Sequence, residues 1–353
     1  MKQTIWIGTY TDEHLAGIHV LEGDSVTGAL RPLNVLHGIE NPTYLALNRA
    51  RTRLYTVCSR RPGAPIETAG AVAAYAVAGA HLSFLNLCPT PGTVPCHLAL
   101  APDEGSMVFA EYAQAHVGRV QLDAGGALVA DSLNTVQHEG HGPNPERQES
   151  AHAHFAQVTP DGRWIYVCDL GLDQVRLYDA ANPGKPWRAD PARIFHAAPG
   201  AGPRHLRFHP NGRLAFLLNE LDSTVVSLRY TGDAFTAVQT LSALPDGFSG
   251  ESKAAALKLS EDGRFLFTSN RGYDSLATFA VDPETGRLER MAISPLTGRF
   301  PRDFELLPGS RFVLVGHKLS NEVACYAFDP ASGTLTREPG TYPVHRPTCI
   351  LAG

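Results

Sequence analysis

The 353-residue sequence has no apolar run approaching the ~20 residues of a membrane-spanning helix, so no membrane is expected as a partner. It also lacks the charged stretch, apolar segment and cleavage site of a secretory leader. Met1-Lys2-Gln3-Thr4-Ile5-Trp6 runs straight into a strand-like pattern, and a cytoplasmic location is expected. Charge of neither sign dominates: 30 Lys and Arg stand against 35 Asp and Glu, a net charge of −5, which argues against nucleic acid as a partner. There is no G-x-S-x-G elbow, no P-loop and no dinucleotide fingerprint, and no cofactor is expected. Only six cysteines occur (Cys58, Cys88, Cys96, Cys168, Cys325 and Cys349), scattered and without a C-x-x-C. A chain long enough to build its own core needs no disulfides, so these are expected as reduced, mostly buried thiols.

Helical periodicity is nearly absent, whereas 33 Gly and 26 Pro punctuate the chain. Many short strands joined by frequent turns follow from that. The strands repeat. His154–Leu170, Arg204–Glu220, Ala255–Arg271 and Arg302–Lys318 each read as an alternating strand, a turn and a second strand. The turns are Pro160-Asp161-Gly162, Pro210-Asn211-Gly212, Glu261-Asp262-Gly263 and Pro308-Gly309-Ser310, where glycine supplies the positive φ of a tight hairpin. Thr43–Ser59 and Cys96–Tyr112 are weaker copies, and successive copies start 47 to 58 residues apart. That period holds four strands. Third strands are expected at Gln174–Asp179, Thr224–Arg229, Ser275–Ala280 and Glu322–Ala327.

The two ends complete a seventh unit. Arg346–Gly353 resembles a first strand, and Ile5–Thr11 a second. An all-β, seven-bladed β-propeller follows, with four antiparallel strands per blade, one domain over residues 1–353, and a last blade closed by both termini. An open solenoid or a pair of sandwiches would also use short strands, but solenoid repeats are shorter and neither explains the split unit. Two polar segments interrupt the repeat: His138–Ser150 before blade three, which has the character of a functional loop or lid, and Leu244–Lys253 before blade five.

In such a ring, equivalent positions surround one axis. The first-strand starts are Thr43, Cys96, His154, Arg204, Ala255, Arg302 and Thr348. The second-strand ends are Ser59, Tyr112, Leu170, Glu220, Arg271, Lys318 and Thr11. Because neighbouring strands are antiparallel, both sets lie on one face. They place one His, three Arg, one Lys and one Glu there, a mostly cationic cup suited to a small anionic molecule. His152 and His154, two apart on an expected strand, would share a face and could bind metal, but no third ligand is evident and no metal is expected. His138-Glu139-Gly140-His141 is one residue short of H-E-x-x-H. His97, His205 and His209 read as satisfied structural groups, and Trp6 and Trp164 as core.

Gly202–Arg213, Leu218–Thr224, Thr268–Ser275 and Asn144–His154 resemble the 6-phosphogluconolactonase family of propellers, to which fungal carboxy-muconate cyclase is similar. The resemblance covers essentially the whole chain. It implies hydrolysis of a small anionic sugar lactone by a catalytic set that matches His154, Arg204, Glu220 and Arg271, with either His154 or Glu220 as the base. Arg302, Lys318, His152 and Arg147 would be substrate contacts. Ala151 departs from the proline that often precedes His-x-His in the family, and Gly316-His317-Lys318 departs from the other polar residues there, which leaves the substrate open. A lactonase for aldaric or uronic acid lactones, a muconate-type cycloisomerase and a non-enzymatic binding propeller are the alternatives. A monomer or weak homodimer is expected.

Overall fold

The turn glycines Gly162, Gly212, Gly263 and Gly309 take φ of 73°, 68°, 75° and 80°, values that side chains resist, and each reverses the chain between two apolar strands. In the computed structural model, which describes residues 1–11, 16–59, 70–181, 187 and 190–353, the described residues form seven four-stranded antiparallel sheets. In blade order the innermost strands are Leu45–Leu47, His97–Leu100, Ala153–Val158, Pro203–Phe208, Lys253–Leu259, Pro301–Leu306 and Pro347–Ala352. The third strands fall at Gln174–Asp179, Thr224–Tyr230, Ser275–Val281 and Glu322–Phe328, within two residues of the expectation.

The seventh blade is composite, as the split repeat implies. Pro347–Ala352 pairs with Lys2–Thr9, which continues to Ile18–Asp24 and Leu30–Leu36. The chain therefore closes its own ring by strand pairing between its two ends. Adjacent blades pack face to face. Between blades three and four, for example, Phe155, Tyr166, Cys168 and Leu177 meet Leu206, Ala215, Leu217 and Leu228. Each such side chain, fully buried, contributes roughly 1.5–3 kcal/mol. Trp6 is core, whereas Trp164 begins its strand half-buried, with Arg193 over its ring at 4.7 Å. All six cysteines are free; Cys96 is partly exposed and the other five are buried.

The repeat does not show how the inner strands are bent. In blade three Ala153 faces Asp169 and Phe155 faces Cys168, which leaves His154 as an extra residue without a cross-strand partner. Arg204 in blade four, Arg302 in blade six and Thr348 in blade seven are extra in the same way. In blade five Ala255 and Ala256 share Ser269. These β-bulges tip the bulged side chain toward the axis. Below them, Tyr44, His97, Phe155 and His205 form an aromatic layer, with ring centroids 4.4 Å apart for Tyr44–His97, 3.8 Å for His97–Phe155 and 5.2 Å for Phe155–His205.

Candidate active site

In blades three to seven a bulged residue near the start of the inner strand stands beside the end of the neighbouring second strand, because the two run antiparallel. The result is a cavity of about 460 Å³ at one end of the axis, whose wall includes His154, Glu220, Arg271, Arg302, Arg147, Tyr112 and Tyr10. Tyr10 and Arg302, from opposite ends of the chain, thus share one chamber.

Glu220 is its organising group. The carboxylate accepts from Arg204 Nε at 2.8 Å, Arg271 Nη2 at 2.9 Å and Arg147 Nη2 at 2.8 Å, and the side chain is almost wholly buried. Burial opposes its ionisation, but Arg271, Arg204 and His154, with the hydrogen bond from Arg147, hold the carboxyl well below the usual carboxylate range. Its backbone ties two blades together: Glu220 N–H donates to Gly202 O, and Ala254 N–H donates to Glu220 O. Arg271 is fixed further by donating to the carbonyls of Lys253 (3.2 Å) and Ala254 (2.7 Å) on the innermost strand of its blade.

His154 lies on the cavity wall, largely buried, and its Nδ1 has no partner among the described residues. Burial, then Arg204, pushes the imidazole well below its ordinary value of 6.5, with Glu220 opposing, so it is uncharged at neutral pH. Cys96 also reaches the wall, but burial and Glu111 push its thiol up to about 12, which leaves no thiolate to act as nucleophile.

Arg147 comes from the segment between blades two and three. His138 anchors one end: its Nδ1–H donates to Asp169 Oδ2 (2.6 Å) and its Nε2 accepts from the Tyr178 hydroxyl (2.7 Å). Gln148 anchors the other, donating to Leu170 O and Asp173 Oδ1, both at 2.8 Å. Gly171 permits the close passage, since a Cβ there would lie 1.9 Å from Ser150 O. The segment is thus pinned at both ends by buried hydrogen bonds and acts as a strap that delivers Arg147, rather than as a freely moving lid.

Three expected residues, Arg204, His152 and Lys318, stand off the wall. Arg204 is 2% exposed and sits behind Glu220, with Nη1 against His205 Nε2 at 3.0 Å, so it acts through Glu220. His152 does not share a face with His154. The strand begins at Ala153 and is bulged at the next residue, which breaks the alternation, and His152 instead stacks on Tyr112 at 4.3 Å and donates from Nδ1 to Tyr112 O. It is the backing of a wall residue. Among the described residues no three His, Cys, Asp or Glu side chains converge as metal ligands. Lys318 does not line the cavity either; its Nζ lies 4.8 Å from the ring centroid of Tyr10, which does. Tyr10, not Thr11, reaches the cavity, because the second strand of the composite blade ends at Thr9 and Thr11 bonds to Asn41. His205 is partnered, whereas His97 and His209 each keep one ring nitrogen without a partner among the described residues.

Residues 4–352 match the family model described as "Lactonase, 7-bladed beta-propeller". The chain belongs to this lactonase family. It is 33% identical to the 6-phosphogluconolactonase of Bacillus subtilis over 351 residues, 98% of this chain and 97% of that one. It is 36% identical to the YwcC protein of Lactococcus lactis, with 99% of each chain covered. Among solved structures, the periplasmic gluconolactonase PpgL of Pseudomonas aeruginosa superposes with a TM-score of 0.92 at 32% identity, covering 100% of this chain and 99% of that one. The described part of this lactonase-family propeller has no helix long and apolar enough to cross a membrane.

Proposed function

We propose that this propeller hydrolyses a sugar-acid lactone, with 6-phospho-D-glucono-1,5-lactone as its substrate. The observation that carries the reading is the pairing, in one cavity, of an uncharged imidazole at His154 with a carboxylate at Glu220 saturated by three guanidinium groups. Such a carboxylate is a poor proton acceptor, which supports His154 as the base, with Glu220 holding Arg271 and Arg147 in place.

His154 takes a proton from water as the oxygen attacks the lactone carbonyl. The carbonyl electron pair moves onto oxygen, and the anion formed is met by the fixed guanidinium of Arg271 on the wall. When the intermediate collapses, the bond from the carbonyl carbon to the ring oxygen breaks, and the imidazolium returns its proton to that oxygen. The acid released then ionises. Imidazolium and oxyanion form together, so the charge that burial disfavours at rest is compensated at the moment it appears.

Because guanidinium groups bind carboxylate as well as phosphate, a lactonase for aldaric or uronic acid lactones is the second reading. The free thiols support a reducing compartment, the cytoplasm, as the site of action. Proton release measured by pH-stat on a panel of 6-phosphogluconolactone, gluconolactone and glucarolactone tests the proposal. Turnover above the spontaneous rate that disappears in His154→Ala is expected, and no turnover on any lactone would refute it.

A further inference from the structure

We propose that Arg302, Lys318 and Arg346, gathered around the ring of Tyr10 at the edge of the cavity, form the seat of a terminal phosphate on the sugar-acid substrate. The inference rests on the lactonase reading and deepens it by naming what distinguishes a phosphorylated lactone from a neutral one. The three cations come from separate places: the bulge of the innermost strand of blade six, the end of the second strand of that blade, and the turn into the composite blade. Around the Tyr10 centroid, Arg302 Cζ lies at 5.8 Å, Lys318 Nζ at 4.8 Å and Arg346 Cζ at 5.1 Å. Tyr10 and Arg302 belong to the wall of the cavity that holds His154, and Lys318 and Arg346 stand against the same Tyr10 ring.

What separates these cations from the others in the site is their charge balance. Arg147, Arg204 and Arg271 each form an ion pair with Glu220. Among the described residues no carboxylate pairs with Arg302, Lys318 or Arg346. Their supports are aromatic faces instead: Tyr10 beneath all three, and Phe300 5.5 Å from Lys318 Nζ and 5.3 Å from Arg271 Cζ. An aromatic face positions a cation without neutralising it, which leaves the charge available to a ligand.

The cluster is also held at a cost. Arg346 takes a φ of 42°, a left-handed conformation unfavourable for a side chain with a Cβ. It is kept there by its N–H donating to Asn321 Oδ1 (2.9 Å) and by its carbonyl accepting from Tyr10 N (3.1 Å). Burial, with Arg302, Arg346 and Arg271 as like charges, brings the Lys318 ammonium down to about 8. Mutual repulsion of this kind is relieved by an anion, and most fully by one with two charges and three acceptor oxygens, as a phosphate monoester has. A sugar acid with a single terminal carboxylate would satisfy the same chemistry less completely.

Calorimetric titration with the unreactive acids 6-phosphogluconate, glucarate and gluconate tests the seat apart from turnover. The unmodified protein is expected to bind 6-phosphogluconate about 10- to 100-fold more tightly than gluconate, the worth of one or two hydrogen bonds between charged groups, with glucarate between them. The double variant Lys318→Gln/Arg346→Gln, checked for a normal melting transition, should lose most of that preference, and Lys318→Arg should keep it. Equal binding of all three acids, a preference untouched in the double variant, or glucarate binding most tightly would each overturn the phosphate seat. A preference that is present without hydrolysis of any lactone would leave the seat standing and remove the catalytic reading. Hydrolysis without the preference would do the reverse.

Discussion

Replacing Glu220 by Gln keeps the volume at the centre of the site and removes the charge that three arginines share. The side chains of Glu220, Arg204 and Arg271 are 5%, 3% and 6% exposed, so solvent screens little of what is lost, while Arg147, at 27%, retains partial access to water. Leaving a buried ion pair with one partner missing costs about 3–5 kcal/mol. At the lower end of about 2–4 °C per kcal/mol for a large chain, Glu220→Gln is expected to melt roughly 6–10 °C lower than the unmodified protein. The guanidinium groups, no longer held by one anion, lose their common aim. Displacement of donors by about 1 Å lowers turnover by ~10². The same excess of positive charge makes an anionic ligand more stabilising, so saturating 6-phosphogluconate should recover more of the melting temperature in the variant than in the unmodified protein. Differential scanning fluorimetry with and without ligand, together with lactone hydrolysis across pH, reads all three effects. A variant that melts normally but has lost both its activity and the acid limb of its pH profile would refute the reasoning, because it would make Glu220 the base.

His154→Ala is expected to lower kcat by ~10²–10⁴ with little change in melting temperature, since the imidazole Nδ1 leaves no partner behind; near-normal turnover would remove it from the chemistry. The base must be neutral, and burial with Arg204 places its titration well below 6.5, so kcat/KM should stay level as pH falls through 6.5 and decline only at more acid pH. An acid limb at or above ~6.5, measured under first-order conditions, would contradict that. The Glu220 carboxyl lies below its ordinary 4.5, so its contribution to stability is complete above that value and is lost as pH falls beneath it, which keeps the arginine network intact across the same range. Gln148→Ala releases one end of the strap and should lower kcat/KM through Arg147 while costing about 1–3 kcal/mol of stability; unchanged kcat/KM would show that Arg147 is held without it. Ending the chain at residue 346 removes a strand whose Ile350 and Cys349 are buried and whose Thr348 Oγ1 donates to Gly8 O, and should abolish the cooperative melt; a sharp, unshifted transition would show that the ring does not depend on its closure.

The ring, its number of blades and the composite last blade were legible in the sequence because turn glycines and apolar alternation are local signals, clear in four copies, weaker in two and completed by the two chain ends. The gathering of His154, Glu220, Arg271 and Arg302 followed from the same register, since equivalent positions in a closed ring converge by symmetry. The bulges were not legible: one extra residue in a strand leaves the turn and the apolar pattern intact and shows only in the pairing. That is why His152 was placed beside His154, and why Arg204 was read as a wall residue rather than as the support of Glu220. Arg147 was named from its neighbourhood, but its aim depends on His138 and Gln148 meeting partners in blade three, contacts that no periodicity announces.

A bulged residue adds no rung to the ladder that joins one strand to the next. Exchanging His154, Arg204 or Arg302 therefore alters no cross-strand pair of residues that zips a blade together. The frame and its chemistry are written in separate letters of the same strand. A designer seeking a new substrate for this scaffold has a short set of positions around the mouth to vary, with the rest of the ring left as it stands.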